Sequence, residues 1–227
     1  MTITEYFKDW YKVIDTKELY SVLNELQNLY SSRSVFPEYK DIFRAFTLCP
    51  YNKCRIIFMG QDPYPQKDIA TGILFGNKVN TLGENLSPTL QVIKNSIIDL
   101  HDTVNSINFD PTLESWAKQG ILMLNSALTV EANKPNSHTM LWRKFIASLL
   151  TNISLYNTGM IYVLFGKTAQ TFIPYIGKYN TIIKEYHPSY YYRLGINMPY
   201  RVFQEVNKTL KDINNDTIKW INYEETN

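Results

Sequence analysis

The chain has 227 residues, enough for one domain with a substantial buried core, and 44% of them are hydrophobic while 19% are charged. A formal net charge of +2 is too small to identify a nucleic-acid-binding protein, although it permits a local basic stripe such as Lys184, Arg193 and Arg201. Two cysteines exclude a disulfide framework or a cysteine-ligated cluster, and three scattered histidines give no metal-ligand spacing, so we expect neither a metal nor another cofactor.

Membrane and targeting signals are not seen in the sequence. No apolar run reaches the roughly 18–20 residues of a membrane span, and the first ten residues (MTITEYFKDW) lack a basic segment followed by an apolar one. We therefore expect a soluble cytoplasmic protein without membrane contact, folded as a single domain over residues 1–227.

Apolar spacing in chain order predicts helices and strands in alternation. Helices are expected at 16–31, with Asp15 or Thr16 as the cap, and at 38–46, 88–100, 139–153, 168–176 and 199–213. Short runs rich in Ile, Val or Tyr predict strands at 55–60, 120–124, 160–166 and 181–186. This order predicts a three-layer α/β/α fold around a four-stranded, mainly parallel sheet.

Each predicted strand runs into a polar or glycine-bearing turn. The four turns contain Gln61-Asp62, Asn125-Ser126, Gly166-Lys167 and His187-Pro188-Ser189. Because ligands bind outside the carboxyl ends of strands in open α/β sheets, we expect these side chains to share one cleft.

Each of these residues also has a plain structural interpretation. Asp62 before a proline suits a turn, Asn125 could cap the next segment, and His187 before a proline could be a surface histidine. Tyr64 and Phe75 could belong to the core. The functional interpretation depends on polar groups at four consecutive strand ends.

The motifs resemble those of family-1 uracil-DNA glycosylases. Segments 60–64 (GQDPY) and 72–75 (GILF) are similar to the water-activating motif and the uracil-stacking segment of that family. Segment 116–130 (WAKQGILMLNSALTV) resembles its run to the uracil-reading asparagine, followed by a match at 137–138 (SH), and 187–189 (HPS) resembles its minor-groove loop. The similarity extends over about residues 36–220.

The resemblance implies excision of a flipped uracil without a covalent intermediate. It assigns Asp62 to orienting and deprotonating the attacking water and to stabilising the sugar cation. His187 would donate a hydrogen bond to uracil O2, assisted by the backbone N–H of Gln61. Asn125 would read O4 and N3–H, Tyr64 would exclude the thymine methyl group, and Phe75 would stack on the base.

DNA-contacting positions depart from the family pattern. Segment 87–89, comprising Ser87, Pro88 and Thr89, resembles the loop that compresses the strand, with Thr89 in place of serine. Lys167 follows Gly166 where a serine is usual, which predicts a phosphate contact or a solvated side chain. Pro65 and Thr71 stand where histidines are common, and the segment 66–69 replaces a glycine- and proline-rich one.

The segment after Ser189 departs further. Tyr191 aligns with the leucine wedge that fills the vacated base stack, and Leu194 is the alternative wedge. Tyr192 aligns with a serine that contacts phosphate, and its hydroxyl could serve instead.

Other functions remain open from the sequence. One is a catalytically weak, DNA-binding accessory protein on the same fold, although retention of six site residues argues against it: Gln61, Asp62, Tyr64, Phe75, Asn125 and His187. Another is a related base-excision enzyme, but cluster-containing members would need more cysteines, and mismatch-specific ones carry asparagine at Asp62. We expect a monomer acting on single- and double-stranded uracil-containing DNA, with a proteinaceous glycosylase inhibitor as a further partner.

Overall fold

A computed structural model of the chain describes residues 2–78, 86–101 and 108–221. Its strands are β1 (Val35–Phe36), β2 (Ile56–Gly60), β3 (Ile121–Asn125), β4 (Val130–Glu131), β5 (Ile161–Phe165) and β6 (Thr181–Glu185). Strands β2, β3, β5 and β6 form a parallel sheet in the order β3-β2-β5-β6, and β1 pairs with β4 in a small antiparallel ladder.

Helices pack around this sheet. The α-helices are α1 (Ile3–Phe7), α2 (Thr16–Ser32), α3 (Arg44–Leu48), α4 (Pro88–Leu100), α5 (Glu114–Lys118), α6 (Thr139–Tyr156), α7 (Gly166–Gln170), α8 (Pro188–Leu194) and α9 (Arg201–Asn214). Short 3₁₀ helices lie at Lys8–Lys12, Tyr39–Asp41, Tyr51–Lys53 and Ile173–Tyr175.

The sheet separates two apolar layers because successive side chains of a strand point to opposite faces. On β2, Ile57 and Met59 pack with buried residues of α2 and α6. Ile56 and Phe58 pack on the other face with buried residues of α4 and α9. Every residue of β2, β3 and β5 is buried, whereas β6, at the edge, is only partly covered.

The predicted α/β fold is confirmed, and the four predicted strands agree with the observed ones to within one residue at each end. Two helix predictions are wrong in detail. Segment 38–46 divides into the 3₁₀ turn Tyr39–Asp41 and α3, and segment 168–176 divides into α7 and the 3₁₀ turn Ile173–Tyr175. Pro174, which lacks a backbone N–H, stands in the second turn, where a continuous helix would need that donor.

Parallel strands bring their carboxyl ends to one edge of the sheet. Gly60 at the end of β2 is in register with Asn125 at the end of β3. Phe165 at the end of β5 is in register with Glu185 at the end of β6. The polar turns that follow all four strands therefore open on the same side of the molecule.

Candidate active site

A cleft of about 1060 Å³ lies at the carboxyl ends of the strands. It is lined by all but one of the predicted site residues, namely Gln61, Asp62, Tyr64, Phe75, Ser87, Pro88, Thr89, Asn125, Gly166, Lys167, His187, Ser189 and Tyr192. The exception is Tyr191, which faces a neighbouring cleft.

Two hydrogen bonds orient the Asp62 carboxylate. The side-chain amide of Gln61 donates to Oδ1 at 3.0 Å, and the backbone N–H of Asn136 donates to Oδ2 at 2.6 Å. Burial raises the pKa of Asp62 above its ordinary value, while these two hydrogen bonds oppose the shift. The carboxylate is thus fixed in direction and made more basic than a solvated one.

Asn125 presents a buried polar atom to the cleft. Only 6% of the residue is exposed, and its Oδ1 atom has no hydrogen-bond partner among the residues that the structure describes. Buried side-chain oxygens are satisfied in the large majority of cases, so an orphaned acceptor in the wall of a cleft requires an explanation. A ligand bearing an N–H group would supply the missing donor.

The tautomer of His187 follows from its contacts. Nδ1 lies 2.8 Å from the Ser189 hydroxyl and 3.3 Å from the Ser189 backbone nitrogen, which can only donate. Nδ1 is therefore an acceptor, and the ring proton resides on Nε2. Burial, assisted by the charge of Arg193, lowers the pKa of His187 to about 4, so the imidazole is neutral at pH 7.

Gly166 allows β5 to approach His187 closely. Its φ angle of +83° lies in the left-handed region of backbone conformation. A Cβ atom here would lie 3.0 Å from the Cβ of His187. Both the backbone conformation and the space favour glycine at this position.

Tyr64 is held against the carbonyl of Phe75. Its hydroxyl lies 3.1 Å from the Phe75 oxygen and 2.8 Å from the hydroxyl of Ser87. Burial raises the pKa of Tyr64, so the phenol stays protonated and donates. The Phe75 ring is 5% exposed and meets the His187 ring edge-to-face at 5.4 Å.

The residues predicted to contact DNA differ in exposure. Lys167 and Pro88 are exposed, whereas Ser87 and Thr89 are buried. The Ser87 hydroxyl accepts a hydrogen bond from the backbone N–H of Leu90 at 3.2 Å and so caps α4. The same hydroxyl lies 3.0 Å from Asn77 Oδ1. Ser87 therefore connects the start of α4 to Tyr64.

The tyrosine-rich segment forms helix α8, where the sequence had suggested a loop. Tyr191, the expected wedge, is only 7% exposed, and its hydroxyl donates to Glu185 at 2.6 Å. Tyr192 and Leu194 are each 53% exposed. The structure thus leaves the alternative wedge, Leu194, accessible and covers the first choice.

Sequence reasoning missed several groups at this site. Asn136 acts through its backbone N–H, which side-chain type does not reveal, and Thr168 lies 3.5 Å from the Gln61 amide oxygen. Tyr186 also lines the cleft, as does Arg193, which the sequence suggested only as part of a basic stripe. Tyr186 directly precedes His187, and Arg193 lies in α8, which follows it. This proximity in the chain is the signal that could have identified both residues.

Within residues 2–78, 86–101 and 108–221, no group of three or more His, Cys, Asp or Glu side chains is arranged to hold a metal ion. Among those residues, no helix has both the length and the apolar character needed to span a membrane.

The fold and the cleft define an α/β protein whose site lies at the strand ends, and comparison with known families identifies the class. Residues 46–211 match the family model described as the Uracil DNA glycosylase superfamily. The chain belongs to the uracil-DNA glycosylase superfamily, and the resemblance drawn from its motifs is confirmed.

Solved structures share this fold at low sequence identity. The mimivirus uracil-DNA glycosylase aligns with a TM-score of 0.72 at 20% identity, over 97% of this chain and 93% of that one. Mimivirus UNG Y322L in complex with UGI aligns with a TM-score of 0.79 at 22% identity, over 96% and 87%. Wild-type UNG from Nitratifractor salsuginis aligns with a TM-score of 0.57 at 19% identity, over 88% and 99%.

Proposed function

We propose that this protein is a monofunctional uracil-DNA glycosylase, which hydrolyses the N-glycosidic bond of a deoxyuridine flipped out of DNA and leaves an abasic site. The observation that carries the proposal is the buried Oδ1 atom of Asn125 in the wall of the cleft, an acceptor for which the described part of the chain supplies no donor. Uracil offers the matching donor at N3–H.

Asn125 would select uracil by the polarity of its amide. Oδ1 accepts from N3–H while the amide N–H donates to O4. Cytosine presents an acceptor at N3 and a donor at its exocyclic amine, so both pairs would be mismatched in a buried site. Tyr64, held by Phe75 and Ser87, would close the space that a thymine methyl group needs.

Asp62 would act on the water and the sugar. As the C1′–N1 bond breaks, positive charge develops on the sugar and the bonding electron pair leaves with the uracil. The oriented carboxylate stabilises that charge and takes a proton from the water whose oxygen bonds to C1′. Its burial supports this role, because a more basic carboxylate is a better proton acceptor.

His187 would stabilise the leaving group. Its Nε2–H is the free donor of a neutral imidazole, since Ser189 occupies Nδ1. Donation to uracil O2 spreads the charge of the departing anion without full proton transfer. Phe75, edge-on to His187, would stack on the base between these groups.

Strand contacts are proposed for the outer residues of the cleft. Lys167 is exposed beside Gly166 and would pair with a phosphate, and the Tyr192 hydroxyl would donate a hydrogen bond to one. Ser189 would lie beside the strand, while its hydroxyl hydrogen stays with His187 Nδ1. The Y322L and Y322F variants of mimivirus UNG are each solved in complex with UGI. A proteinaceous inhibitor covering the same cleft is therefore a proposed partner here.

Release of free uracil tests the function. Purified protein is incubated with single- and double-stranded oligonucleotides containing one uracil, with a chelator present, and matched thymine and cytosine substrates serve as controls. We expect uracil to be released from both forms and neither control base to be released. No uracil release above background would instead favour an accessory DNA-binding protein on this fold.

A further inference from the structure

Two tyrosines stack on each other at the edge of the active-site cleft. The rings of Tyr186 and Tyr190 lie with centroids 4.6 Å apart and planes 19° from parallel. Tyr186 is 59% exposed and Tyr190 is 37% exposed, and both line the cleft that contains His187. Neither ring is part of the apolar core, so the pair is a surface feature.

Tyr191 and Glu185 contact the stacked pair on its buried side. Tyr191 meets the ring of Tyr190 edge-to-face at 5.4 Å and that of Tyr186 at 6.3 Å. The Glu185 carboxylate accepts from the Tyr191 hydroxyl at 2.6 Å and from the Tyr186 backbone N–H at 2.7 Å. The buried Tyr191 therefore supports a preformed stack, so that little ordering is needed when a third ring binds.

Tyr186 stands between two clefts. The second cleft, of about 570 Å³, shares Gly166, Lys167 and Tyr186 with the first. Its lining adds the cations Lys184 and Arg201, together with Glu185 and Glu205. Lys184 and Arg201 are exposed; among the described residues Lys184 forms no ion pair, and the Arg201–Glu205 contact is long at 3.9 Å, so both cations can turn toward a polyanion.

We propose that Tyr186 and Tyr190 form a stacking platform for the nucleobase next to the flipped deoxyuridine, with the strand continuing past Tyr186 toward Lys184 and Arg201. This rests on the proposed function for the identity of the target base. Aromatic platforms flanked by cations bind single strands with little sequence preference. In a duplex the neighbouring base is paired and stacked on its own strand, so the platform favours unpaired DNA.

The test compares ring removal with ring retention. Tyr186→Ala/Tyr190→Ala loses the platform, whereas Tyr186→Phe/Tyr190→Phe keeps both rings. Tyr20→Ala removes a similarly exposed tyrosine, 55% exposed, from α2 outside both clefts. Each protein is assayed for KM and kcat on single- and double-stranded uracil substrates, and for the Kd of a fluorescein-labelled single strand without uracil. Thermal unfolding verifies that each variant is folded.

We expect the double alanine variant to bind the uracil-free single strand about five- to hundredfold more weakly, the effect of losing one stacked base. KM on single strands should rise by a similar factor, with kcat and duplex KM little changed, and the phenylalanine and Tyr20 variants should match the wild type. Equal Kd values for the wild type and a folded double alanine variant would overturn the platform. Wild-type protein that binds the strand through these rings but releases no uracil would overturn the proposed function alone.

Discussion

The backbone N–H of Asn136 points at the Asp62 carboxylate, 2.6 Å from Oδ2, and fixes one oxygen while Gln61 holds the other. This pairing joins the turn after β2 to the segment before α6. Asp62 therefore has a set direction in a buried environment, which is the geometry expected of a proton acceptor for water.

Replacing Asp62 by asparagine should reduce uracil release by a factor of at least about a hundred, the low end for loss of a general base. Asp68→Asn is the matched control, because Asp68 is exposed and asparagine tolerates its φ of +61°. Single-turnover rates measure the effect. Near-wild-type activity of Asp62→Asn would remove Asp62 from this role.

His187 should remain neutral well below pH 6.5. Its ring signals in an NMR titration should shift with a pKa of about 4, because burial and the charge of Arg193 disfavour the imidazolium. Assignment by comparison with His187→Asn separates it from His101 and His138. A titration near pH 6.5 would contradict the buried, neutral donor.

The same shift predicts a stability change with a defined sign. Below pH 6.5 the unfolded chain protonates this histidine while the folded protein does not, so the free energy of unfolding falls as the pH falls from about 6.5 to about 4. The wild type should lose more stability over this window than His187→Asn does. If the free energies of unfolding of the two proteins, measured by chemical denaturation, changed with pH in parallel, the lowered pKa of His187 would be contradicted.

Exposure of the α8 side chains distinguishes the two candidate wedges. Leu194→Ala should lower duplex activity more than single-strand activity, with unchanged stability, because Leu194 is exposed. Tyr191→Ala should instead reduce the free energy of unfolding by roughly 3–5 kcal/mol, the range for truncating a buried aromatic residue. A duplex-selective loss in a fully stable Tyr191→Ala protein would restore Tyr191 as the wedge.

Ser87 links helix stability to base selection. Ser87→Ala removes the cap of α4 and should cost about 1 kcal/mol in denaturant unfolding. Because the variant also releases the Tyr64 hydroxyl from one neighbour, thymine release should rise relative to uracil release. Thr47→Ala, which removes an exposed hydroxyl of α3, is the control. An unchanged ratio of thymine to uracil release would show that Ser87 does not position Tyr64.

Much of the site follows from sequence because parallel strands place their carboxyl ends together. Asp62, Asn125 and His187 each follow a short apolar run, so one sheet edge accounts for their meeting in the cleft. The antiparallel ladder of β1 and β4 was not predicted, since strands of two residues carry no periodic signal.

Other features depend on tertiary contacts that the local sequence does not encode. The Asn136 donor is a backbone group, and any residue but proline would carry it. The direction of the Tyr191 ring depends on Glu185 and on the turn of α8, which forms where motif alignment suggested an open loop. The motif match therefore predicted where the tyrosine-rich segment lies, but it did not predict which of its side chains face solvent.

Exchange of the base specificity by Asn125→Asp tests the central claim most directly, because it replaces the amide N–H donor that meets the base with a carboxyl oxygen of nearly the same size. A carboxyl oxygen accepts from the exocyclic amine of cytosine, where the asparagine amide would oppose it. Asn24→Asp, on the exposed face of α2, is the control. We predict that Asn125→Asp releases cytosine from DNA while wild type and Asn24→Asp do not. A folded Asn125→Asp protein that releases uracil as the wild type does, and no cytosine, would contradict the assignment.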